Sequence, residues 1–226
     1  MITLYYLENS RAERVQATLK FLGLDYTEEI YGRDRKTMLA PAALKKIHPS
    51  GKSPLIKDGD LVVAESGLII EYLIEEYGKN SELEAKSKQE SLHIRYGIMA
   101  CESNVMIAGM QLYINKIARQ KMPIGVSFVI GKVLDIIESN YARGEVYLCL
   151  DNLQQTIRDN DGYYSNGHLS GADLMYRCTL MLLMENKLIP DYETRYSDLV
   201  KYCELVKKRV DEAKHGQVTI IDHRKK

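Results

Sequence analysis

A hydroxyl group stands where the first predicted strand gives way to the first predicted helix. Ser10 and Glu13 form an S-x-x-E pattern, which is typical of the capping box at a helix N-terminus. A structural cap alone accounts for this pattern. The position also permits chemistry, because the backbone N–H groups and dipole of a helix N-terminus attract an anion. A cap uses an oxygen lone pair, so the hydroxyl proton of Ser10 would remain able to bind a thiolate.

A proline opens the third predicted strand, in the segment Lys52-Ser53-Pro54. Proline has no N–H group and therefore belongs at the start or edge of a strand. A cis Ser53–Pro54 bond would turn the main chain of Ser53 outward, where its N–H and C=O could pair with an extended peptide. The residues alone favour a trans bond, because only about 5–6% of X-Pro bonds in folded proteins are cis.

An acidic residue precedes the last helix of the same region, in Glu65-Ser66-Gly67. Ser66 is a favourable N-cap residue, and capping by itself explains its presence. A helix N-terminus also binds a carboxylate, while the adjacent Glu65 would bind an ammonium group. Together they would recognise the head group of a free α-amino acid.

The elements that must position these residues follow from the spacing of apolar side chains. The first half alternates strand-like and helical runs, and Asp58-Gly59 between two apolar runs predicts a hairpin. The predicted order is β-α-β-α-β-β-α, which gives a four-stranded mixed sheet. The predicted elements cover residues 2–7, 11–22, 26–31, 36–47, 54–57, 61–64 and 67–77.

Beyond Ser81 the sequence has almost no strand pattern. Ser81 and Glu84 predict a capping box that opens a long helix to about Ala118. Further helices are predicted over residues 124–140, 144–159, 171–187 and 197–213. The predicted division is a sheet-containing domain over 1–78, a linker and start of the first helix over 79–88, and an all-helical domain over 89–226.

Bulk composition excludes several classes of protein. The 226 residues include 31 Lys+Arg and 31 Asp+Glu, and this zero net charge argues against a general nucleic-acid binder. No run approaches the ~18 consecutive apolar residues of a membrane span, and no signal peptide is recognisable. The four cysteines lack metal-ligand spacing, so we expect no metal, reduced thiols and a cytoplasmic location.

The three chemical segments together describe one ligand. A thiolate, a peptide backbone and a free amino-acid terminus occur together in glutathione, γ-Glu-Cys-Gly. The order of elements, with a proline-started strand and a helical second half, resembles that of a cytosolic glutathione transferase. The resemblance covers most of the chain and is strongest up to Gly78. The matching segments are Gly51–Ile56, Asp58–Leu61, Glu65-Ser66 and Tyr6–Arg11, the last similar to serine-type members from bacteria and fungi.

The resemblance implies a fold and an activity. The fold would be an α+β, thioredoxin-like βαβαββα domain followed by an all-α helical domain. The activity would be a transferase that ionises the thiol of glutathione and conjugates it to a small hydrophobic electrophile. Glutathione would be a co-substrate, with no other cofactor. A homodimer is implied, in which the helical domain of one subunit meets the sheet domain of the other.

The resemblance also implies which residue binds the thiolate. Ser10 stands four positions before Arg14, as in the S-x-x-x-R pattern of the serine-type classes. Ser10 would therefore stabilise the thiolate. The neighbouring Asn9 and the strand residues Tyr5 and Tyr6 remain alternatives for this role.

The other glutathione contacts are implied position by position. Lys52 would contact the glycyl end of glutathione. Ser53 would pair with the cysteinyl backbone through its main chain, with Pro54 in the cis form. Glu65 and Ser66 would bind the γ-glutamyl head group.

Two further sets of residues lie in the helical half. The second substrate is expected between the two domains, and its candidate contacts share a helical face. The substrate candidates are Tyr96, Met99, Ser103 and Met106. A place in the core between the domains is an equal alternative for the two methionines.

Ser170–Asp173 matches the family's buried S/T-x-x-D capping box, which implies a folding element.

Two other functional hypotheses fit the same fold. One is a glutathione-dependent peroxidase or disulfide reductase, and the other is a noncatalytic binding or scaffold protein. The reductase classes need a cysteine at the N-terminus of the first helix, where this sequence has Asn9-Ser10. No cysteine precedes Cys101, which argues against a cysteine mechanism.

Overall fold

The first part of the computed structural model, which describes residues 1–224, alternates strands and helices in the predicted order. The second predicted helix is shorter than expected and begins only at Ala43, because the Asp34 carboxylate accepts the N–H groups of Lys36 and Thr37 and closes a turn there. The elements are β1 (Ile2–Leu7), α1 (Ala12–Phe21), β2 (Tyr26–Tyr31), α2 (Ala43–Ile47), β3 (Leu55–Asp58), β4 (Leu61–Ala64) and α3 (Ser66–Tyr77).

The sheet is mixed, with strand order β4-β3-β1-β2-β5. β1 and β2 run parallel, while β3 is antiparallel to both β1 and β4. The carboxyl ends of parallel strands meet at one edge of a sheet, which is where α/β folds place their ligands. The segments after Leu7 and Tyr31 therefore lie at the same edge, and the first of them carries Ser10.

A fifth strand extends the sheet that the sequence predicted to have four. β5 (Val218–Asp222) pairs in parallel with β2, with Val218 opposite Tyr26. The chain enters this pairing through Gln217, whose N–H donates to Asp25 Oδ1 at 2.6 Å and whose carbonyl accepts the Tyr26 N–H at 3.0 Å. The segment is only weakly β-prone, and it forms a strand because it pairs with β2, which lies near the other end of the chain.

Side chains alternate between the two faces of the sheet, and each face has its own apolar core. Leu4 and Ile56 pack with Val15 of α1 and Ile69 of α3 on one face. The other face packs against Leu44 of α2, together with Tyr5, Leu7, Tyr31 and Leu55. The two helices that begin at the predicted site, α1 and α3, therefore lie on the same side of the sheet.

Apart from β5, the described residues beyond α3 form helices and their connections. The predicted helix over residues 81–118 begins later, at Lys88, because Ser87 rather than Ser81 caps it: Ser87 Oγ accepts the Glu90 N–H at 3.1 Å. Two π-helical turns, Cys101–Met106 and Glu138–Ala142, interrupt the series. The α-helices are α4 (Lys88–Ala100), α5 (Ile107–Lys121), α6 (Ile124–Ile137), α7 (Arg143–Asp159), α8 (Gly171–Glu185), α9 (Tyr192–Arg195) and α10 (Ser197–Glu212).

The described chain divides into two compact units. The first comprises residues 1–85 and the segment from Val206 onward, and the second comprises residues 86–205. The predicted helical domain, residues 89–226, differs from this grouping in its last segment, because β5 belongs to the sheet. Residues 225 and 226 of that prediction lie outside the described residues.

The predicted capping box of α8 is present and deeply buried. The Asp173 carboxylate accepts the N–H and Oγ of Ser170 at 2.7 and 2.6 Å. It also accepts the N–H of Tyr164 and the hydroxyl of Tyr202, each at 2.8 Å. Burial raises the pKa of the Asp173 carboxyl, although these donors act in the opposite direction. Four hydrogen bonds to this buried carboxylate hold the start of α8 against the segments that carry Tyr164 and Tyr202.

α6 exposes an unusual amount of apolar surface. Phe128 is 71% exposed, Val129 66%, Val133 50% and Ile136 59%. Large contiguous patches of exposed apolar side chains on a monomer usually mark interaction surfaces.

Across residues 1–224, no helix combines the length and the apolar content needed to cross a bilayer.

Candidate functional site

The loop between β1 and α1 presents Ser10 at the N-terminus of the helix. Asn9 has a φ of 50°, in the left-handed region that asparagine tolerates better than most residues. α1 begins at Ala12 rather than at the predicted residue 11, and Ser10 Oγ accepts the Ala12 N–H at 3.2 Å. The predicted capping box with Glu13 is therefore wrong in detail, although the hydroxyl does use a lone pair to hold the helix start.

Ser53 joins this loop to the start of β3. Its hydroxyl donates to the Tyr5 carbonyl at 2.9 Å and accepts the Leu7 N–H at 3.1 Å. Pro54 has no N–H to donate, and the hydroxyl of the preceding Ser53 donates to β1 instead. Ser53 Oγ also lies 3.5 Å from Ser10 Oγ.

The peptide bond between Ser53 and Pro54 is cis, as the family resemblance implied. Within residues 1–224, no hydrogen bond engages the main-chain N–H or C=O of Ser53. These groups can therefore accept a new partner, and an extended peptide backbone has the matching donor and acceptor. The neighbouring Lys52 is exposed, and its N–H donates to Ser50 Oγ at 3.4 Å.

A buried arginine supports the start of α3. Arg14 of α1 has no exposed surface, and its Nη1 donates to Ser66 Oγ at 3.4 Å. Ser66, the predicted cap of α3, is instead its first residue, and the cap position belongs to Glu65. Glu65 has a φ of 74°, a strained value for a residue with a side chain. Strain of this kind clusters at ligand-binding sites, and the side chain of Glu65 is exposed to solvent.

These contacts bring the predicted glutathione-binding residues together at the N-terminal end of α1. Ser10 touches Ser53, and Arg14, one turn further along, touches Ser66. The rest adjoin these residues in the chain, so the seven positions form one region of the sheet-containing unit. The seven are Asn9, Ser10, Lys52, Ser53, Pro54, Glu65 and Ser66.

The tyrosine alternatives for the thiol contact are poorly placed. Tyr5 is 9% exposed in the core beneath α2, and burial together with the charge of Glu29 raises the pKa of its hydroxyl. A phenol of raised pKa is a weaker donor to an anion. Tyr6 packs against the core on the other face. Ser10, by contrast, lies in the loop at the helix N-terminus.

The four candidate contacts for the second substrate lie in the helical unit but do not share one exposed face. Tyr96 and Met99 of α4 are 63% and 60% exposed, and Ser103 is exposed as well. Met106 is only 5% exposed. The reason is the π-helical turn Cys101–Met106, whose wider turn changes the 3.6-residue spacing on which the prediction relied. The substrate role of all four stays a prediction.

Two arginines that support the site were missed by the sequence analysis as positioning residues. Arg14 was placed only by its spacing from Ser10, and no sequence pattern indicates its burial, because arginine is usually exposed. Arg33 is the second of these residues. Its guanidinium donates to three carbonyls, those of Glu8 at 3.1 Å, Asn9 at 2.9 Å and Met38 at 3.0 Å. No sequence pattern indicates it, because two of these partners are 24 and 25 residues away.

Comparison with known proteins agrees with this geometry. A model of the N-terminal domain of glutathione S-transferases matches residues 4–81. The Saccharomyces cerevisiae protein named glutathione S-transferase 1 is 32% identical over 194 residues, which cover 83% of this chain and 82% of that protein.

Solved structures share the fold. A glutathione S-transferase from Actinobacillus pleuropneumoniae superposes with a TM-score of 0.70 at 24% identity, covering 96% of this chain and 94% of its own. A glutathione transferase homologue from Lodderomyces elongisporus, solved with two GSH per subunit, has a TM-score of 0.70 at 19% identity and covers 93% of this chain and 97% of its own. The predicted fold class, a thioredoxin-like domain followed by helices, is confirmed. On the similarity to the yeast protein and the match over residues 4–81, this chain belongs to the glutathione S-transferase family.

Proposed function

We propose that the protein is a glutathione transferase that ionises the thiol of glutathione at Ser10 and conjugates it to small hydrophobic electrophiles. The contact between Ser10 and Ser53 carries the proposal. The hydroxyl proton of Ser53 is directed to the Tyr5 carbonyl, so Ser10 must be the donor if the two hydroxyls interact. Their 3.5 Å separation exceeds the usual ~2.5–3.0 Å of an O–H···O bond, so this contact is weak. The Ser10 hydroxyl can therefore donate its hydrogen bond to a thiolate instead of to Ser53.

The free energy available at this position is sufficient. Lowering a thiol pKa from about 8.5 by about 2 units requires roughly 2.7 kcal/mol. One hydrogen bond to a charged group contributes about 1.5–3 kcal/mol. A helix N-terminus adds about 0.3–1 kcal/mol. Ser10 at the start of α1 therefore needs no separate general base, because the thiol proton is released to solvent. The substrate's own sulfur is then the nucleophile, and with an aryl halide the new C–S bond replaces the carbon–halogen bond and halide leaves.

The remainder of glutathione matches the surrounding groups. The unengaged main chain of Ser53 suits the cysteinyl backbone, and the exposed ammonium of Lys52 suits the glycyl carboxylate. The start of α3 suits the γ-glutamyl carboxylate, while Glu65 suits its ammonium group. The related structure from Lodderomyces elongisporus, which was solved with glutathione bound, supports a glutathione site on this fold.

A cysteine-based reductase fits this site less well. Ser10 occupies the helix position where that chemistry needs a thiol, and Cys101, the first cysteine, is fully buried in the helical unit. Serine-based peroxide or disulfide chemistry stays the alternative on the same fold. A cytoplasmic location belongs to the proposal, since the chain resembles the cytosolic transferases.

The proposed active form is a homodimer. The apolar face of α6 supports an interaction surface, because Val126, Val129, Val133 and Ile136 recur at alternating spacings of three and four residues. These spacings place the four side chains on one face of α6, which in the proposed dimer would meet the sheet-containing unit of the partner subunit, as the resemblance implies. Arg119 holds the opposite side of α6 through Asp135 Oδ1 at 2.9 Å, which leaves the apolar face to a second copy of the chain.

The direct test is calorimetric titration with glutathione, followed by a conjugation assay with an aryl halide. We expect binding in the micromolar to millimolar range and a slope of rate against pH that follows thiol ionisation. Cysteinylglycine, which lacks the γ-glutamyl group, is the matched ligand control and should bind more weakly. Absence of glutathione binding at millimolar concentration would overturn the proposed function. Binding with peroxide or disulfide turnover but no conjugation would favour the alternative.

A further inference from the structure

Arg33 follows β2 at the same edge of the sheet as the loop that carries Ser10. Its guanidinium donates Nε to the Glu8 carbonyl at 3.1 Å and Nη2 to the Asn9 carbonyl at 2.9 Å. Nη1 donates to the Met38 carbonyl at 3.0 Å. In addition, the Arg33 N–H donates to Glu8 Oε1 at 2.9 Å. One side chain thus fixes two consecutive carbonyls immediately before Ser10.

Two consecutive carbonyls define the direction of the peptide planes between them. Asn9 lies between these planes with a φ of 50°, in a left-handed region that residues other than glycine rarely occupy. A change in Asn9 would rotate Ser10 and remove its oxygen from the Ala12 N–H and from Ser53. The rigid fork of an arginine is suited to holding such a geometry, because its donors have fixed directions.

The third carbonyl ties a second loop to the first. Met38 also has a left-handed φ, of 59°, and its N–H donates to the Asp34 carbonyl at 2.8 Å. Arg33 therefore holds the loop after β1 and the loop after β2 as one structure. The exposed Met38 and Leu39 side chains, 57% and 66% exposed, lie on this second loop.

We propose that Arg33 is a positioning residue for thiol activation, which sets the conformation of Glu8 and Asn9 so that the Ser10 hydroxyl meets the sulfur of bound glutathione. The inference rests on the proposed function, since it assigns Ser10 its role. Arg33 acts through the loop and does not itself touch the reacting atoms. The guanidinium acts through the fixed directions of its N–H donors, so another positively charged side chain does not replace it.

The test compares Arg33→Met, Arg33→Lys and Arg33→Gln with the intact protein. For Arg33→Met we expect kcat/KM for conjugation to fall about ten- to a hundredfold, the range for a displaced reacting group. The pH midpoint of the rate should rise, because the misplaced hydroxyl stabilises the thiolate less. Glutathione affinity at high pH should change little, since the groups at Ser53 and Glu65 are untouched. Arg33→Lys should restore only part of the rate, because one ammonium replaces three directed donors.

Arg35→Met is the matched control, because Arg35 is exposed two positions away and should keep the rate and the pH midpoint of the intact protein. Thermal unfolding checks that each variant is folded. If Arg33→Met does not fold, the pH midpoints of Arg33→Lys and Arg33→Gln are used to test the proposal. An unchanged pH midpoint in every folded variant would overturn the proposal, and full recovery with lysine would assign the effect to charge instead of geometry. If the intact protein conjugates nothing, the proposed function fails first.

Discussion

The hydroxyl oxygens of Ser10 and Ser53 lie 3.5 Å apart, on two segments that are 43 residues distant in the chain. Ser53 is fixed by its two hydrogen bonds to β1, one donated and one accepted. Ser10 accepts one hydrogen bond from the first helical N–H and keeps its proton for a long, weak contact. The pair therefore presents a preoriented donor at a helix N-terminus, next to a main chain that can bind a peptide.

Removing the Ser10 hydroxyl should affect the chemistry more than the binding. For Ser10→Ala we expect turnover to fall about ten- to a hundredfold, since the lost hydrogen bond to the thiolate contributes about 1.5–3 kcal/mol. The pKa of bound glutathione should rise, and affinity for glutathione should stay within a few fold. The measurements are the pH dependence of conjugation and calorimetric titration.

Asn9→Gly is the comparison for that experiment, since it removes the alternative side chain while glycine accepts the left-handed backbone that positions Ser10. It should lower turnover less than Ser10→Ala and leave the pKa of the bound thiol nearly unchanged. If Ser10→Ala conjugates an aryl halide as fast as the intact protein, the serine assignment is wrong.

Glu65→Ala should weaken binding without slowing the chemical step. Glu65 would pair with the ammonium of the γ-glutamyl group, which takes no part in the reaction. KM for glutathione should rise about three- to tenfold with kcat unchanged, as expected when uniform binding is removed. Glu75→Ala is the control, because Glu75 is an exposed residue of α3, and it should leave KM and kcat unchanged. A fall in kcat with constant KM would contradict the assignment.

The buried carboxylate of Glu90 should make stability dependent on pH. Burial alone would raise its pKa, but hydrogen bonds from the Lys86 N–H, from Asn166 and from His168 outweigh burial and lower it. The folded state then binds the proton less tightly than the unfolded state. The stabilisation is present above the unfolded pKa of about 4.3 and is lost as the pH falls through the lower folded value.

Urea unfolding of the intact protein and of Glu90→Gln, measured from neutral to acidic pH, checks this expectation. The difference in the free energy of unfolding between the two should be largest at neutral pH. It should shrink as the pH falls below the unfolded pKa of about 4.3 towards the lowered pKa of the folded carboxyl. A difference that stays constant down to pH 3 would show that Glu90 contributes through its shape and not through its charge.

A charge in the apolar face of α6 should dissociate the proposed homodimer. Val129 is 66% exposed at the centre of that face, and Val129→Glu would place a carboxylate in the interface. We expect Val129→Glu to sediment as a monomer while Val129→Ile, the matched control, remains dimeric. A dimer that persists in Val129→Glu would place the interface elsewhere, and a monomeric intact protein would remove the homodimer altogether.

Much of this architecture was accessible from the sequence. Helical and strand periodicity located the elements of the first 77 residues in their correct order, because local spacing decides which face of an element is apolar. The chemical residue types were also visible: a hydroxyl at a helix start, a proline at a strand start and an acid before a helix. The buried box of Ser170 and Asp173 was recognised through the family resemblance, whose S/T-x-x-D pattern is a local one.

Tertiary contacts decided what local spacing does not contain. β5 is a strand because β2 offers it a free edge nearly 200 residues away, and its own sequence is only weakly suited to a strand. The π-helical turn at Cys101–Met106 separated Met106 from the exposed face that regular spacing predicted. Arg33 became a support of the site only when folding brought the carbonyls of Glu8 and Asn9 to its guanidinium. The sequence alone thus determined which groups are available for chemistry, and the fold decided their directions, because hydrogen-bond geometry depends on partners that are distant in the chain.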